Sequence, residues 1–248
     1  MDIGDEIQHR CKEKENRRRL MDVSHFCITT FPPLITKELK ERIKNLDKEV
    51  FFILSTARCR STWFGNFFTY KDSFCWNEEL RYCSCWEDIV DRIEKRPEKY
   101  IGFEDPELLH YITTLYELFP NAKYVLLERD RFECENSLKN IISLQGKVHP
   151  EILEGNYITR KFDRWYYDIH NMEKIIPEFK RINFYQMNDI KNIKDIWDYL
   201  LPNIEFDVDR FNLLTAMVIS VTYANEPKEP ISNCMGTYFS FDKLDQIK

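Results

Sequence analysis

With 248 residues, 43% of them apolar and 15% aromatic, the chain is long enough to bury a sizeable α/β core and too apolar for general disorder. A net charge of −6, from 36 Lys and Arg against 42 Asp and Glu, disfavours a general nucleic-acid-binding role. Any anion site must therefore be a local island of positive charge. Residues 1–47 read as a charged N-terminal helical extension, with Arg17-Arg18-Arg19, an extended link at Phe31-Pro32-Pro33 and a helical stretch from Thr36 to Leu46. From residue 48 to 248 the pattern alternates. Short apolar runs bounded by polar, Pro or Asn signals predict strands at Val50–Leu54, Tyr100–Phe103, Lys123–Glu128 and Arg181–Gln186. Helical periodicity follows from Ile158 to Ile176, from Ile190 to Leu201 with Asp189 as N-cap, and from Phe211 to Val221. This alternation predicts one α/β domain: a mostly parallel central sheet flanked by helices, with ligands beyond the carboxyl ends of its strands.

Two segments at such strand ends carry the chemistry. The run Phe51 to Leu54 breaks into a polar loop with Arg58 and Arg60, then opens at Ser61-Thr62 into Trp63, Phe64, Phe67 and Phe68. Strand, polar loop, helix start is how proteins hold phosphate: helix N–H groups face the anion and arginines neutralise it. The loop has neither glycine nor lysine, so it is not the G-x-x-x-x-G-K-S/T loop of ATPases and kinases. Two arginines instead offer planar forks to a tetrahedral anion, unless they merely decorate a surface turn. The aromatic residues that follow have helical spacing and are expected in the core. In the second segment, Arg129-Asp130-Arg131 ends a strand and Ser137 comes eight residues after Arg129, so guanidinium and hydroxyl can converge on one phosphate.

Together the segments resemble the sulfotransferases that use 3′-phosphoadenosine-5′-phosphosulfate (PAPS). The family's first signature is approximately Arg/Lys-Ser-Gly-Ser/Thr-Thr-Trp. Arg58, Ser61, Thr62 and Trp63 match it, whereas Cys59 stands at its serine and Arg60 at its glycine. Its second signature is a strand ending Arg-Asp-Pro with a serine eight residues after the arginine. Arg129, Asp130 and Ser137 reproduce it, with Arg131 at the proline. Tyr100–Asp105, Arg181–Gln186 and Asp209–Leu214 look like further family segments, so the resemblance spans roughly residues 48–222. The C-terminal Gly-rich nucleotide segment of cytosolic members has no counterpart.

The resemblance implies a P-loop-like three-layer fold and sulfuryl transfer from PAPS to an acceptor hydroxyl or amine, with 3′,5′-ADP as product and no metal. It implies that Arg58, Cys59, Arg60, Ser61, Thr62 and Trp63 hold the 5′-phosphosulfate, Arg58 also acting on the leaving phosphate. Arg129 and Ser137 would hold the 3′-phosphate. The implied general base is a glutamate or histidine: Glu78, with Glu79 and His110 as rivals and Asp105 orienting base or acceptor. The acceptor class stays open among small molecule, glycan, lipid and peptide. Phe74–Trp86 and Gln145–Tyr157 are candidate pocket segments, in which Trp76, Tyr82 and Trp86 suit a ring-bearing acceptor. Two rival readings remain: a kinase with an atypical phosphate loop, needing ATP and magnesium, and a catalytically silent nucleotide-binding module.

The eight cysteines include no CxxC pair, and Cys83-Ser84-Cys85 lacks a second pair or a histidine at ligand spacing. Reduced thiols and no metal are therefore expected. No signal-peptide pattern or apolar run of transmembrane length occurs, so the expectation is a cytoplasmic protein without a membrane span.

Overall fold

The apolar run Phe51 to Leu54 exists because its strand is covered on both faces. In the computed structural model, which describes residues 35–77, 80, 83–144 and 156–216, all four side chains are buried. The elements in chain order are α1 (Lys37–Lys44), β1 (Glu49–Ser55), α2 (Ser61–Phe67), β2 (Ser73–Asn77), α3 (Trp86–Lys95) and β3 (Tyr100–Glu104). A 3-10 helix at Pro106–Tyr111 leads into α4 (Ile112–Leu118), β4 (Lys123–Glu128), α5 (Arg131–Leu144), α6 (Tyr157–Ile175) and β5 (Lys180–Asn183). A second 3-10 helix, Phe184–Asn188, precedes α7 (Ile190–Leu200) and α8 (Val208–Ala216).

The five strands pair in the order β2-β3-β1-β4-β5, all parallel, with Ile53 opposite both Glu104 and Val125. Helices cover both faces, giving the three-layer α/β fold that the alternation predicts. On one face Phe52 stacks between Phe103 and Tyr124, at 5.9 and 5.5 Å, and meets Phe119 after α4. On the other, Phe51 meets Phe68, and the aromatic run of α2 packs on Trp197 of α7 and Phe211 of α8. Trp63, Phe64, Phe67 and Phe68 are thus core residues, as their spacing implies. The C-terminus of α2 is capped from a distance: the Arg210 guanidinium donates to the carbonyls of Asn66, Phe67 and Thr69.

Two stretches differ from the sequence reading. Phe74–Trp86 is not wholly a pocket loop. Its first part is edge strand β2, and Trp86 is buried at the start of α3 against Tyr111. The last strand stops at Asn183, three residues short of Gln186, because Asn183 caps the next turn. Its side chain accepts the Tyr185 N–H while the Gln186 side chain accepts the Asn183 N–H. The helical stretch at Thr36 is present, with the Thr36 hydroxyl accepting the Leu39 N–H, and Arg42 binds α1 to Asp91 and Glu94 of α3. Arg17-Arg18-Arg19, Phe31-Pro32-Pro33, Tyr82, Gln145–Gly155 and the end of the last predicted helix lie outside the described residues. Among the described residues no helix is long and apolar enough to cross a membrane.

Gly102, in the central strand β3, has no room for a side chain. A Cβ there would lie 2.1 Å from Cε2 of Phe51, across the pairing with β1. Gly102→Ala should therefore cost about 1–3 kcal/mol, the range for overpacking a core. Equilibrium denaturation should show a lower midpoint at unchanged m; an unchanged midpoint would mean that this contact relaxes freely.

Candidate functional site

The strand order fixes where a ligand can sit. The chain leaves β1 toward β2 and leaves β4 toward β5, in opposite directions across the sheet. The crevice beyond the carboxyl ends of these adjacent strands is the switch point at which open α/β sheets bind ligands. Residues 56–60 follow β1 and Arg129 follows β4, so both sequence segments meet there.

They meet through specific contacts. Arg58 Nε donates to Ser137 Oγ at 3.1 Å, and Arg129 Nη1 donates to the Arg58 carbonyl at 2.9 Å. The Arg129 guanidinium lies over the Phe184 ring at 4.1 Å, and its Nε donates to Glu133 at 3.0 Å. The Tyr185 hydroxyl donates to the same carboxylate, and the Tyr166 hydroxyl donates to the Arg129 carbonyl. Arg129 is therefore held from several directions. Phe184, Tyr185 and Tyr166 were not singled out from the sequence. Their proximity comes from the β4–β5 pairing and from α6, and no local motif announces it.

Arg60 takes the place of a glycine and keeps a glycine's backbone. Its φ is 64° and that of Arg58 is 73°, both left-handed. That conformation costs an ordinary residue roughly 1–2 kcal/mol. The loop thus keeps a turn that glycine would adopt freely, and carries a cation as well. The Arg60 guanidinium donates to Asn188 Oδ1 at 2.7 Å and lies 5.1 Å over the Trp63 ring. These partners are neutral, and burial pulls the Arg60 pKa below its ordinary value. A half-buried cation with neutral neighbours at a helix start is suited to an incoming anion.

The other loop residues divide. Ser61 and Thr62 begin α2, where the first N–H groups of a helix have no intrahelical acceptor. Cys59 is turned inward, its thiol buried against Thr56 and Cys134 of α5, so only its main chain can face a ligand. Trp63 is also buried, with its indole N–H donating to the Leu214 carbonyl, and acts as packing beneath the loop. Arg131, at the signature's proline position, ties α5 to α6 through Glu135 and Asp163, both at 2.7 Å.

Of the candidate bases, Glu78 and Glu79 lie outside the described residues. Asp105 anchors the segment that follows them: its Oδ2 accepts the Leu80 N–H at 3.0 Å and its Oδ1 the Glu107 N–H. His110 is buried between two carboxylates, Nδ1 at 2.5 Å from Asp168 and Nε2 at 3.2 Å from Glu107. Its Nδ1 is hydrogen-bonded to Asp168, whereas Nε2 faces Glu107 Oε2 within ion-pair distance without a hydrogen bond, so His110 lies inside a buried carboxylate network. Lys161 pairs with Glu107 and Arg164 with Asp168, so the network joins the first 3-10 helix to α6. Among the described residues no group of His, Cys, Asp and Glu could hold a metal ion.

The network has a pH signature. Burial alone would lower the His110 pKa, but the Asp168 and Glu107 carboxylates beside it outweigh that, leaving it above the ordinary 6.5. For Glu107, burial is outweighed by His110 and Lys161, leaving its pKa below 4.5. His110 therefore stabilises fully below 6.5 and loses this as pH rises through its folded value; Glu107 does so above 4.5 and loses it on acidification. Melting curves of wild type and His110→Gln should differ most between these limits and converge at higher pH. A difference that grows with pH would contradict the protonated assignment.

No curated protein matches the chain. A family model described as "Sulfotransferase family" matches residues 4–188. That match takes in the Arg58–Thr62 loop, the crevice between β1 and β4, and Arg129 with Ser137. The chain belongs to the sulfotransferase family.

Proposed function

We propose that this chain moves the sulfuryl group of PAPS to an acceptor hydroxyl or amine, releasing 3′,5′-ADP. The observation that best supports this reading is the meeting of two anion-binding segments at one crevice, through Arg58 with Ser137 and Arg129 with the Arg58 carbonyl. A donor with two separate phosphate groups needs two such segments; a ligand with one phosphate needs only the loop after β1.

PAPS supplies a sulfuryl group already joined to a good leaving phosphate. The residues of the chain then have three tasks. Arg129 and Ser137 hold the 3′-phosphate, Arg129 kept in place by Phe184, Glu133 and Tyr166. Arg60, with the main-chain N–H groups of Cys59, Ser61 and Thr62, neutralises charge that builds on the 5′-phosphate as the S–O bond breaks. Arg58, leaning on Ser137, spans the two ends. Trp63 supports the loop from below. The acceptor proton goes to Glu78, next in sequence after Asn77, the last residue of β2. The acceptor itself is a small molecule, glycan, lipid or peptide.

Calorimetric titration tests the donor assignment. Arg129→Ala should weaken 3′,5′-ADP by about 1.5–3 kcal/mol, the worth of a hydrogen bond to a charged group, and AMP far less. Equal losses for both nucleotides would remove Arg129 from the 3′-phosphate.

Arg60→Gly tests the loop. Glycine adopts the left-handed conformation freely, so folding stability should stay within about 1 kcal/mol of wild type. Affinity for both 3′,5′-ADP and AMP should fall, because both carry a 5′-phosphate. Retained affinity would show that Arg60 faces no phosphate.

A further inference from the structure

The candidate site is joined from below by a pair of thiols that the proposed chemistry does not use. Cys59, in the loop after β1, and Cys134, in the first turn of α5, place their sulfurs 3.8 Å apart, and both side chains are fully buried. The Thr56 hydroxyl touches both sulfurs, at 3.2 and 3.8 Å. The pair thus links the loop proposed to hold the 5′-phosphosulfate to the helix that carries Ser137. Among the described residues Cys75, Cys83 and Cys85 likewise form no disulfide.

We propose that Cys59 and Cys134 are the site of a reversible intrachain disulfide, which disables donor binding when the chain meets a peroxide. The effect on binding rests on the PAPS reading; the cross-link itself does not.

The chemistry balances without a further reagent. Because both sulfurs are buried, peroxide reaches them when the loop after β1 opens; the Cys134 thiolate then attacks one peroxide oxygen, the O–O bond breaks, and water leaves once the departing hydroxide takes a proton. Cys134 becomes a sulfenic acid. The Cys59 sulfur then attacks the Cys134 sulfur, its proton leaves with the hydroxyl as a second water, and the disulfide forms. Two thiols lose two electrons and one hydrogen peroxide accepts them. The bond from Cys59, Thr56 and the Arg129 charge lower the Cys134 pKa against burial and Glu133, and the 3.8 Å contact lets one sulfur resolve the oxidised other. Cys59 is pushed the opposite way, first by its bond to Cys134 and then by burial, as suits the thiol that resolves the sulfenic acid.

The consequence is geometric. A disulfide holds its sulfurs about 2.05 Å apart, so closing a 3.8 Å contact requires one partner to move. Cys134 sits in a helix, its N–H donating to the Asp130 carbonyl, whereas Cys59 lies between the left-handed residues Arg58 and Arg60. The loop is therefore the part that gives, and Arg58 and Arg60 move with it. By linkage, a ligand that holds the loop in place must oppose formation of the bond.

The test uses the full chain, first reduced and then treated with hydrogen peroxide, with and without 3′,5′-ADP. Peptide mass mapping should join Cys59 to Cys134, and 3′,5′-ADP should slow the joining. The thermal shift produced by 3′,5′-ADP should disappear on oxidation and return with a dithiol reductant. Cys134→Ser, with Cys134→Ala as a second variant, should keep that shift after peroxide. Failure of the two cysteines to join, or joining with an undiminished shift, overturns the proposal. So does a loss of the shift that persists in both Cys134 variants. If the reduced wild type shows no shift with 3′,5′-ADP, the donor reading fails, while the mapped bond still decides whether the pair is oxidisable.

Discussion

Parallel pairing of β1 with β3 on one side and β4 on the other is the constraint from which the site follows. Because the three strands run the same way, Ser55, Glu104 and Glu128 end at one edge, and the segments that leave them must share the space beyond it. The reversal of direction between β1 and β4 opens a crevice there. Among the described residues, the segments that the proposed chemistry uses leave that edge: the arginine loop after β1, Asp105 after β3, Arg129 and Ser137 after β4. The aromatic core beneath packs against all three strands. Phe52 stacks between Phe103 and Tyr124 across the same three strands, and α2 is clamped by Trp197, Phe211 and Arg210.

Charge is distributed unevenly around this edge. The chain as a whole carries −6, yet Arg58, Arg60 and Arg129 gather within one crevice. Arg129 is partly neutralised by Glu133, whereas the bonded partner of Arg60 is the neutral Asn188 amide. A hydrogen bond to a neutral amide and an indole ring beneath hold the half-buried Arg60 guanidinium in place without a counter-charge among the described residues. The left-handed backbone at Arg58 and Arg60 carries a conformational cost of its own. Both features fall in the loop that the proposed donor site uses.

Much of this was legible in the sequence. Lys123–Glu128 has the same limits as β4, and the helical periodicities from Ile158 and Ile190 coincide with α6 and α7, because long amphipathic runs leave little ambiguity. The spacing of Arg129 and Ser137, with the arginine loop, carries the resemblance to the family that the match over residues 4–188 shows. Edge strand β2 was missed. Ser73-Phe74-Cys75-Trp76-Asn77 is short and only alternately buried, so it lacks the apolar run that marks the central strands. The inward turn of Cys59 was also invisible, since a serine position in a signature says nothing of where a larger, less polar side chain will go. The burial of His110 between Glu107 and Asp168 depends on α6 returning to the first 3-10 helix, a contact between distant segments that no local pattern encodes.

The central claim is that the crevice between β1 and β4 holds a nucleotide bearing phosphates at both 3′ and 5′ positions. Thermal unfolding of the reduced chain, with 3′,5′-ADP and no magnesium, tests it most directly. At about a hundred times its dissociation constant, a ligand confined to the folded state adds about 2.7 kcal/mol, which raises the melting temperature by several degrees. A rise with 3′,5′-ADP that AMP does not match is the predicted result. A rise only with ATP plus magnesium would contradict the account in favour of a kinase, and no rise with any nucleotide would contradict it altogether.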